Sequence, residues 1–562
     1  MLICALAQSF DAFANTNQNT LTVDVLVRGG TIYDGSGAHP YVADVAIVGD
    51  KIAAIGDLKS YTADKTISAD GLAVAPGFIN MLSWATESLL IDGRSLGDIL
   101  QGVTLEVFGE GSSMGPLSPA LKKNLQNRQS DYSYDIAWTT LGEYLEHLEA
   151  QGVAPNVASF VGATTIRAHV LGAADRAPNN IELNSMQELV RQAMMEGALG
   201  IGTSLIYAPA FYAKTDELVA LTSIAAEHGG MYISHLRSEG ARLLESVDEL
   251  LEISRATGAR AEIYHLKIAG RENWHKYEAL IEKLNRARDN GVEVTANLYT
   301  YTAGSTGLDA AMPPWVQEGG YEAWRKRLQD PATRAQLLKE MQTPTDQWEN
   351  LLLSAGPDQT LLVGFRNPEL RKYAGQTLAE VAAQRNKSAL ETAMDLVIED
   401  GSRVQAVYFL MSEENLRKMI QIPWVSFGSD AASMSASGVF LNTSTHPRAY
   451  GNFARVIGKY TREEELLTLA QAIHKLTGLP ANNLRIQRRG LIKQNYFADI
   501  VIFDPAEVRD TATYDKPHSL AVGMKHVLVN GETVLSDGES TGRLPGRVVR
   551  GPGWTGHKQL TR

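Results

Sequence analysis

The chain alternates between two textures of apolar and polar residues. From 23 to 75, and again beyond 498, the two kinds alternate at a period of two between Gly-Asp turns: VDVLVRGGTIYDGSG and ADVAIVGDKIAAIG near the start, ADIVIFDP and MKHVLVNGETVLSDG near the end. That period belongs to strands with one buried face. Two β-rich ends flanking a different middle predict one composite β-sandwich, over 23–72 and 485–553, from which the middle loops out. In that middle, 73–484, short apolar runs alternate with segments at helical spacing. The strand candidates are AVAPGFIN (73–80), GVTLEVF (102–108), NVASFV (156–161), ALGIGTSL (198–205), MYISH (231–235), AEIYH (261–265), VEVTANLY (292–299) and PWVSFGSD (423–430). Helical patterns such as ELVALTSIAAEHG and EALIEKLNRARDNG separate most of them, each stopped by a glycine. Eight such units predict an α/β fold of the (β/α)8 barrel class; an open doubly wound sheet shares the period, because periodicity does not report closure. The gap between the seventh and eighth candidates is too long for one crossover. Residues 303–363 therefore read as an insertion, placed as a lid over the barrel mouth.

The stretch from Met231 to Gly270 carries the first chemical signal. Two β-branched runs each end in a histidine, His235 and His265, and the helical ARLLESVDELLEISRATGAR lies between them. In a parallel βαβ unit both imidazoles stand at the carboxyl edge of neighbouring strands, where active sites are built. Two neutral imidazoles in register suit a zinc-like ion; two hydrogen-bonded core histidines are the other reading.

Composition narrows the classes. With 562 residues and 44% hydrophobic content the chain fills a large core and more than one structural unit. A net charge of -12 with mixed signs leaves no basic face for nucleic acid. The single cysteine, Cys4, excludes an intrachain disulfide, so metal ligands must be His, Asp, Glu or modified Lys. Residues 1–22 have a short apolar run followed by Ala12-Phe13-Ala14, the form of a secretory leader without its basic start. A real leader implies a periplasmic or secreted protein, and otherwise a cytoplasmic one. No apolar run reaches the length of a membrane span.

Other polar residues fall at the same predicted edge. Asp430 ends the eighth strand candidate, where a carboxylate can move a proton, bind a metal or cap a helix. Glu110, in the glycine-flanked VFGEGSS after the second strand, is a third anionic ligand or a turn carboxylate. Lys267 faces the same way as His265 if that strand continues. Tyr207, Tyr299 and Tyr301 offer hydroxyls to an oxyanion, or pack. Arg448, in STHPRAYGNF, presents a guanidinium fork that suits a substrate carboxylate or a surface ion pair.

These motifs together resemble the amidohydrolase superfamily, in its N-acyl-D-amino-acid deacylase (D-aminoacylase) branch. The matching text is DVLVRGGTIYDGSG, APGFIN, GALGIGTSLIYAP, AAEHGGMYISHLRSEG, HLKIAG, YTYTAGSTGL, FGSD, HPRAYG, ADIVIFDP and TGRLPGRVVRGPG, spread from about 23 to 553. The resemblance implies a metal-dependent hydrolase barrel on a composite β-sandwich. It implies His235 and His265 as zinc ligands and Asp430 as the general base that later protonates the leaving amine. It also implies Arg448, Lys267 and a tyrosine from SLIY or YTY as the clamp on an amino acid carboxylate.

Two positions depart from the family. Its first strand normally ends in an H-x-H pair, and here GFINMLSW places Leu82 and Trp84 there, neither a metal ligand. Its second strand loop normally supplies a cysteine, and here Glu110 is the nearest replacement. If Glu110 substitutes, a mononuclear His₂Glu set keeps one position open for water, and three protein ligands plus water is the usual catalytic zinc arrangement, in which water ionises near pH 7. The expectation is one zinc ion per chain and a small-molecule N-acyl amino acid or dipeptide-like substrate. Two alternatives stand beside it: a cyclic-amide hydrolase of the hydantoinase kind, and a non-catalytic descendant that binds a ligand in the barrel mouth.

Overall fold

The computed structural model describes residues 21–556, so residues 1–20 of the leader-like segment, with the Ala12-Phe13-Ala14 site and Cys4, lie outside the described residues, while residues 21 and 22 already belong to the first strand of the β-domain. Eight parallel strands form the ring. The first three are Phe78–Asn80, Val103–Phe108 and Asn156–Ser159, the last continuing as Val161–Gly162. The next five are Gly200–Ser204, Met231–His235, Ala261–Ile263, Val294–Leu298 and Val425–Phe427. The eighth strand follows the seventh in register, Ala296 opposite Val425. The ring closes where the Met81 amide donates to the Phe427 carbonyl at 3.2 Å, and Ser83 pairs with Ala431 just beyond. Closure answers what periodicity left open: the sheet is a barrel. Most strand residues are buried on both faces, as parallel strands roofed by helices require.

The two chain ends meet as expected of a composite domain. Ala73–Pro76 pairs antiparallel with Ile500–Phe503, joining N-terminal and C-terminal strands into one nine-stranded sheet. Alternation along Leu21–Ile32 sends Val25 and Val27 into one apolar cluster and Leu26 into another. The described sheet ends at Ser540. Beyond it the chain returns to the barrel: Val549 donates to Val157 at 2.8 Å and Val157 to Arg547 at 3.0 Å, along the third strand. The segment through 553 thus runs along the barrel as well as the β-domain, which it still touches where Asn530 donates to the Pro545 carbonyl at 2.8 Å.

The insertion is larger than the 303–363 read from the sequence. Ala303–Gly307, Thr360–Gly364 and Gln405–Phe409 form an antiparallel three-stranded sheet with the last in the centre. Leu308, Trp324, Leu337, Leu362, Val381, Leu396 and Tyr408 build its separate core. The unit therefore runs to about residue 411, and the helices Leu378–Arg385 and Ala389–Asp400 belong to it. Among the described residues no helix is long and apolar enough to cross a membrane.

Candidate metal centre

Four strand ends deliver the centre. His235 is the last residue of the fifth strand, level with Ser204 of the fourth. His265 follows the sixth strand at φ 36°, and Asp430 follows the eighth at φ 51°. Both are non-glycine residues held in left-handed backbone, a strained state that concentrates at functional sites. Glu110 hangs between Gly109 and Gly111, at φ 109° and 67°. A Cβ on Gly109 would stand 2.4 Å from the Phe160 carbonyl, and one on Gly111 would stand 2.5 Å from Ser204 Cβ. Only glycines let this loop fold against the next strands and turn Glu110 inward.

The three side chains converge on one oxygen. Glu110 Oε1 is 3.0 Å from His235 Nδ1 and 2.8 Å from His265 Nε2. One donor atom from each of the three lies within 4.8 Å of the others, and all three residues are buried. Burial pushes the Glu110 carboxyl up, but the His265 and His235 imidazoles beside it hold it well below the usual carboxylate range. Burial and the Lys267 ammonium push His265 down; Glu110 and Glu239 outweigh them and raise it to about 9. Glu110 Oε1 accepts from both buried imidazoles, and a single cation could take the place of those two hydrogens. A divalent ion fits this set, since two imidazole nitrogens and a carboxylate oxygen are accepted zinc ligands. The buried His235 Nε2 has no hydrogen-bond partner among the described residues.

A second layer orients the first. Glu239 Oε1 lies 3.0 Å from His265 Nδ1 and accepts from Lys267 Nζ at 2.6 Å; Lys267 Nζ also lies 2.6 Å from His265 Nδ1. Glu239 and Lys267 together hold the far edge of the His265 ring, with Nε2 directed at Glu110. Burial opposes ionisation of Glu239, but His235, Lys267 and His265 lower its pKa and keep it anionic. Asp430 Oδ2 pairs with Arg448 Nη1 at 2.9 Å, a close ion pair whose alignment leaves Nη1, like the buried Nε, without a hydrogen bond among the described residues. Burial raises Asp430, against the lowering by Arg448.

Arg448 stacks on the Tyr299 ring at 4.5 Å, and the Tyr299 hydroxyl is buried without a partner among the described residues. Tyr207 meets His235 edge-on at 5.4 Å, with Arg403 of the insertion 5.1 Å over its ring. Glu110, His235, His265, Lys267, Asp430, Arg448, Tyr207 and Tyr299 are thus brought together. Tyr301 is not. The chain turns after Leu298, so Tyr301 packs against His446 and Arg455, and its hydroxyl lies over Gly451.

Three participants escaped the sequence reading. Glu239 stands four residues after His235 in HLRSEG, a spacing that gives no sign in a loop. His446 opens the HPR motif: its Nδ1 accepts from the Arg448 amide at 3.0 Å and its Nε2 lies 3.0 Å from the Ala303 carbonyl, so it ties the Arg448 backbone to the insertion. Burial and Arg448 hold it well below the ordinary histidine range, hence neutral. Trp84, noted only as a lost ligand, donates its indole N–H to Glu110 Oε2 at 2.9 Å and Asp430 Oδ1 at 3.2 Å.

Comparison with known proteins meets this geometry. The model of the amidohydrolase family matches residues 65–535. A D-aminoacylase of Alcaligenes xylosoxydans xylosoxydans is 33% identical over 530 residues, 94% of this chain and 97% of that protein. The crystal structure of N-acyl-D-glutamate deacylase from Bordetella bronchiseptica, complexed with zinc and a phosphonate mimic of the tetrahedral intermediate, superposes with TM-score 0.77 at 30% identity, covering 94% of this chain and all of that one. A solved D-aminoacylase described by its binuclear metal centre, with one-metal activation and second-metal attenuation, also gives 0.77, at 31% identity and the same coverage. The dihydropyrimidinase from Brevibacillus agri stands further off, at 15% identity and TM-score 0.53, and shares the fold.

Proposed function

The chain belongs to the amidohydrolase family and is a hydrolase of carbon–nitrogen bonds other than peptide bonds, and from that premise we propose that it deacylates an N-acyl D-amino acid with one zinc ion held by Glu110, His235 and His265. The observation that carries this reading is the buried convergence of both imidazoles on Glu110 Oε1, with Asp430 joined to the same group through Trp84. D-configuration follows the relatives, which are a D-aminoacylase and an N-acyl-D-glutamate deacylase. The cyclic-amide alternative has only the shared fold behind it.

When bound, the ion supplies Lewis-acid polarisation of the scissile carbonyl and lowers the pKa of water toward neutrality. The chain's own residues do the rest. Arg448, whose buried Nε has no hydrogen bond among the described residues and whose Nη1 faces Asp430, takes the substrate carboxylate beside the Tyr299 hydroxyl, and the fork geometry fixes which way the amide points. Lys267 is committed to Glu239, so in this arrangement it sets the charge behind His265, and it meets a substrate only if that pair opens. Asp430 takes a proton from attacking water and delivers it to the departing nitrogen, work that a carboxylate raised by burial does better than an exposed one. Tyr207 walls the His235 side.

The test is zinc content of the purified protein together with turnover on matched N-acyl-D- and N-acyl-L-amino acids, repeated for Asp430→Asn. We expect bound zinc, hydrolysis of the D series, and a loss of about 10²–10⁴ in kcat for the variant with ligand affinity kept. No zinc and no hydrolysis across both series would overturn the reading. Equal turnover of the D and L series would remove its stereochemical part.

A further inference from the structure

Trp84 stands at a junction that the reaction alone does not require of a tryptophan. It follows the first barrel strand, and its backbone N–H donates to the Ala431 carbonyl at 2.9 Å, which pins it beside Asp430. Its side chain is part-exposed at the barrel mouth, with 38% of the residue accessible, yet its one polar atom is turned inward. That atom serves two carboxylates: Nε1 lies 2.9 Å from Glu110 Oε2 and 3.2 Å from Asp430 Oδ1. Glu110 is thereby divided, with Oε1 given to the two histidines and Oε2 to the indole.

We propose that Trp84 is a positioning residue that closes the centre to a second metal ion, its indole N–H occupying the point between Glu110 and Asp430 at which that ion would be held. The proposal rests on the reading of Glu110, His235 and His265 as ligands of the first ion. Paired metal sites place their ions about 3.5–4 Å apart, bridged or flanked by carboxylates. Here an ion touching Glu110 Oε2 and Asp430 Oδ1 would have to displace the indole. It would then find little else, because Leu82, two residues before Trp84, is fully buried and has no donor atom. Two carboxylate oxygens fall short of the four ligands that zinc takes. A second dication so near the first also meets a repulsion that a neutral N–H does not. The indole satisfies both oxygens without adding charge and keeps Asp430 turned toward the same side of Glu110. A phenylalanine in its place would leave two facing carboxylates with nothing between them.

Equilibrium dialysis against zinc, at one equivalent and in large excess, followed by elemental analysis, tests this on the full chain. Wild type is expected to hold one zinc per chain at both levels, and Trp84→His to rise above one in excess. Wild type reaching two, or Trp84→His staying at one, would overturn the proposal. Wild type without zinc would overturn the metal reading instead, and a second measurement then decides for Trp84. In metal-free protein labelled with ¹⁵N-tryptophan, the indole resonance lost in Trp84→Phe is expected to move in both Glu110→Gln and Asp430→Asn. A resonance unmoved by either change would show that the indole clamps nothing.

Discussion

At the scale of the residue, zinc loading is an exchange of ions on one carboxylate. Glu110 is held anionic and His265 is raised to about 9, so near pH 7 the empty site carries a proton that a metal must displace. Below about pH 9 the neutral, ligating form of His265 falls tenfold per pH unit, and apparent zinc affinity falls with it; above that value affinity levels off. Calorimetric titration in two buffers of different ionisation enthalpy should show about one proton released per zinc at pH 7. Affinity independent of pH between 6 and 9 would contradict the assignment. His235 and His265 were legible in the sequence because a βαβ repeat places equivalent positions on one edge, and Glu110 because a carboxylate between glycines must turn sharply. Of the two readings open for Tyr301, packing is the one the structure takes, because this strand ends at Leu298 and the chain turns before Tyr301. Glu239 was invisible because a loop has no period from which to read its direction.

At the scale of the element, the insertion supports the centre from outside. Glu349 reaches out of it and accepts from the Ser238 hydroxyl at 2.7 Å, from the Gly240 amide at 2.6 Å and from the Glu239 amide. Burial and the neighbouring Glu239 charge push its carboxyl up to about 7. The loop that presents Glu239 to His265 is thus held by a side chain more than a hundred residues later. Hydrogen bonds to a charged group contribute about 1.5–3 kcal/mol each, so this brace is strongest above pH 7, where Glu349 is ionised. Glu349→Ala should therefore speed amide exchange at Glu239 and Gly240 by roughly 10–100-fold while barrel-strand amides stay protected. Unchanged exchange in that loop would mean the insertion does not brace it. The extent of this element could not be read from the sequence. Its strands alternate like those of the β-domain, its helices resemble barrel helices, and only the private core of Trp324, Leu362 and Tyr408 separates it from the ring.

At the scale of the whole molecule, the chain ends stabilise a barrel that lies between them. Ile500–Phe503 pairs with Ala73–Pro76, and the terminal segment then lies along the third strand, with Arg547 also reaching Asp50 at 2.6 Å. Truncating the chain after Ser540 leaves the nine-stranded sheet its described strands but removes the Val549 contact with the barrel. A fall in Tm of roughly 3–6 °C is expected for the shortened chain, and no change would show that the segment is a passive tail. The composite domain and the eight-unit count were legible from period alone, whereas closure and the path of the last residues depend on which edges remain unpaired. The ring of strand ends sets three candidate ligand atoms within 4.8 Å of one another. X-ray absorption at the zinc edge of the loaded protein tests that claim most directly. It should show light-atom ligands only, at roughly 2.0–2.2 Å, with imidazole scattering, and the shell should change in Glu110→Ala. A zinc shell indifferent to that substitution would contradict the account.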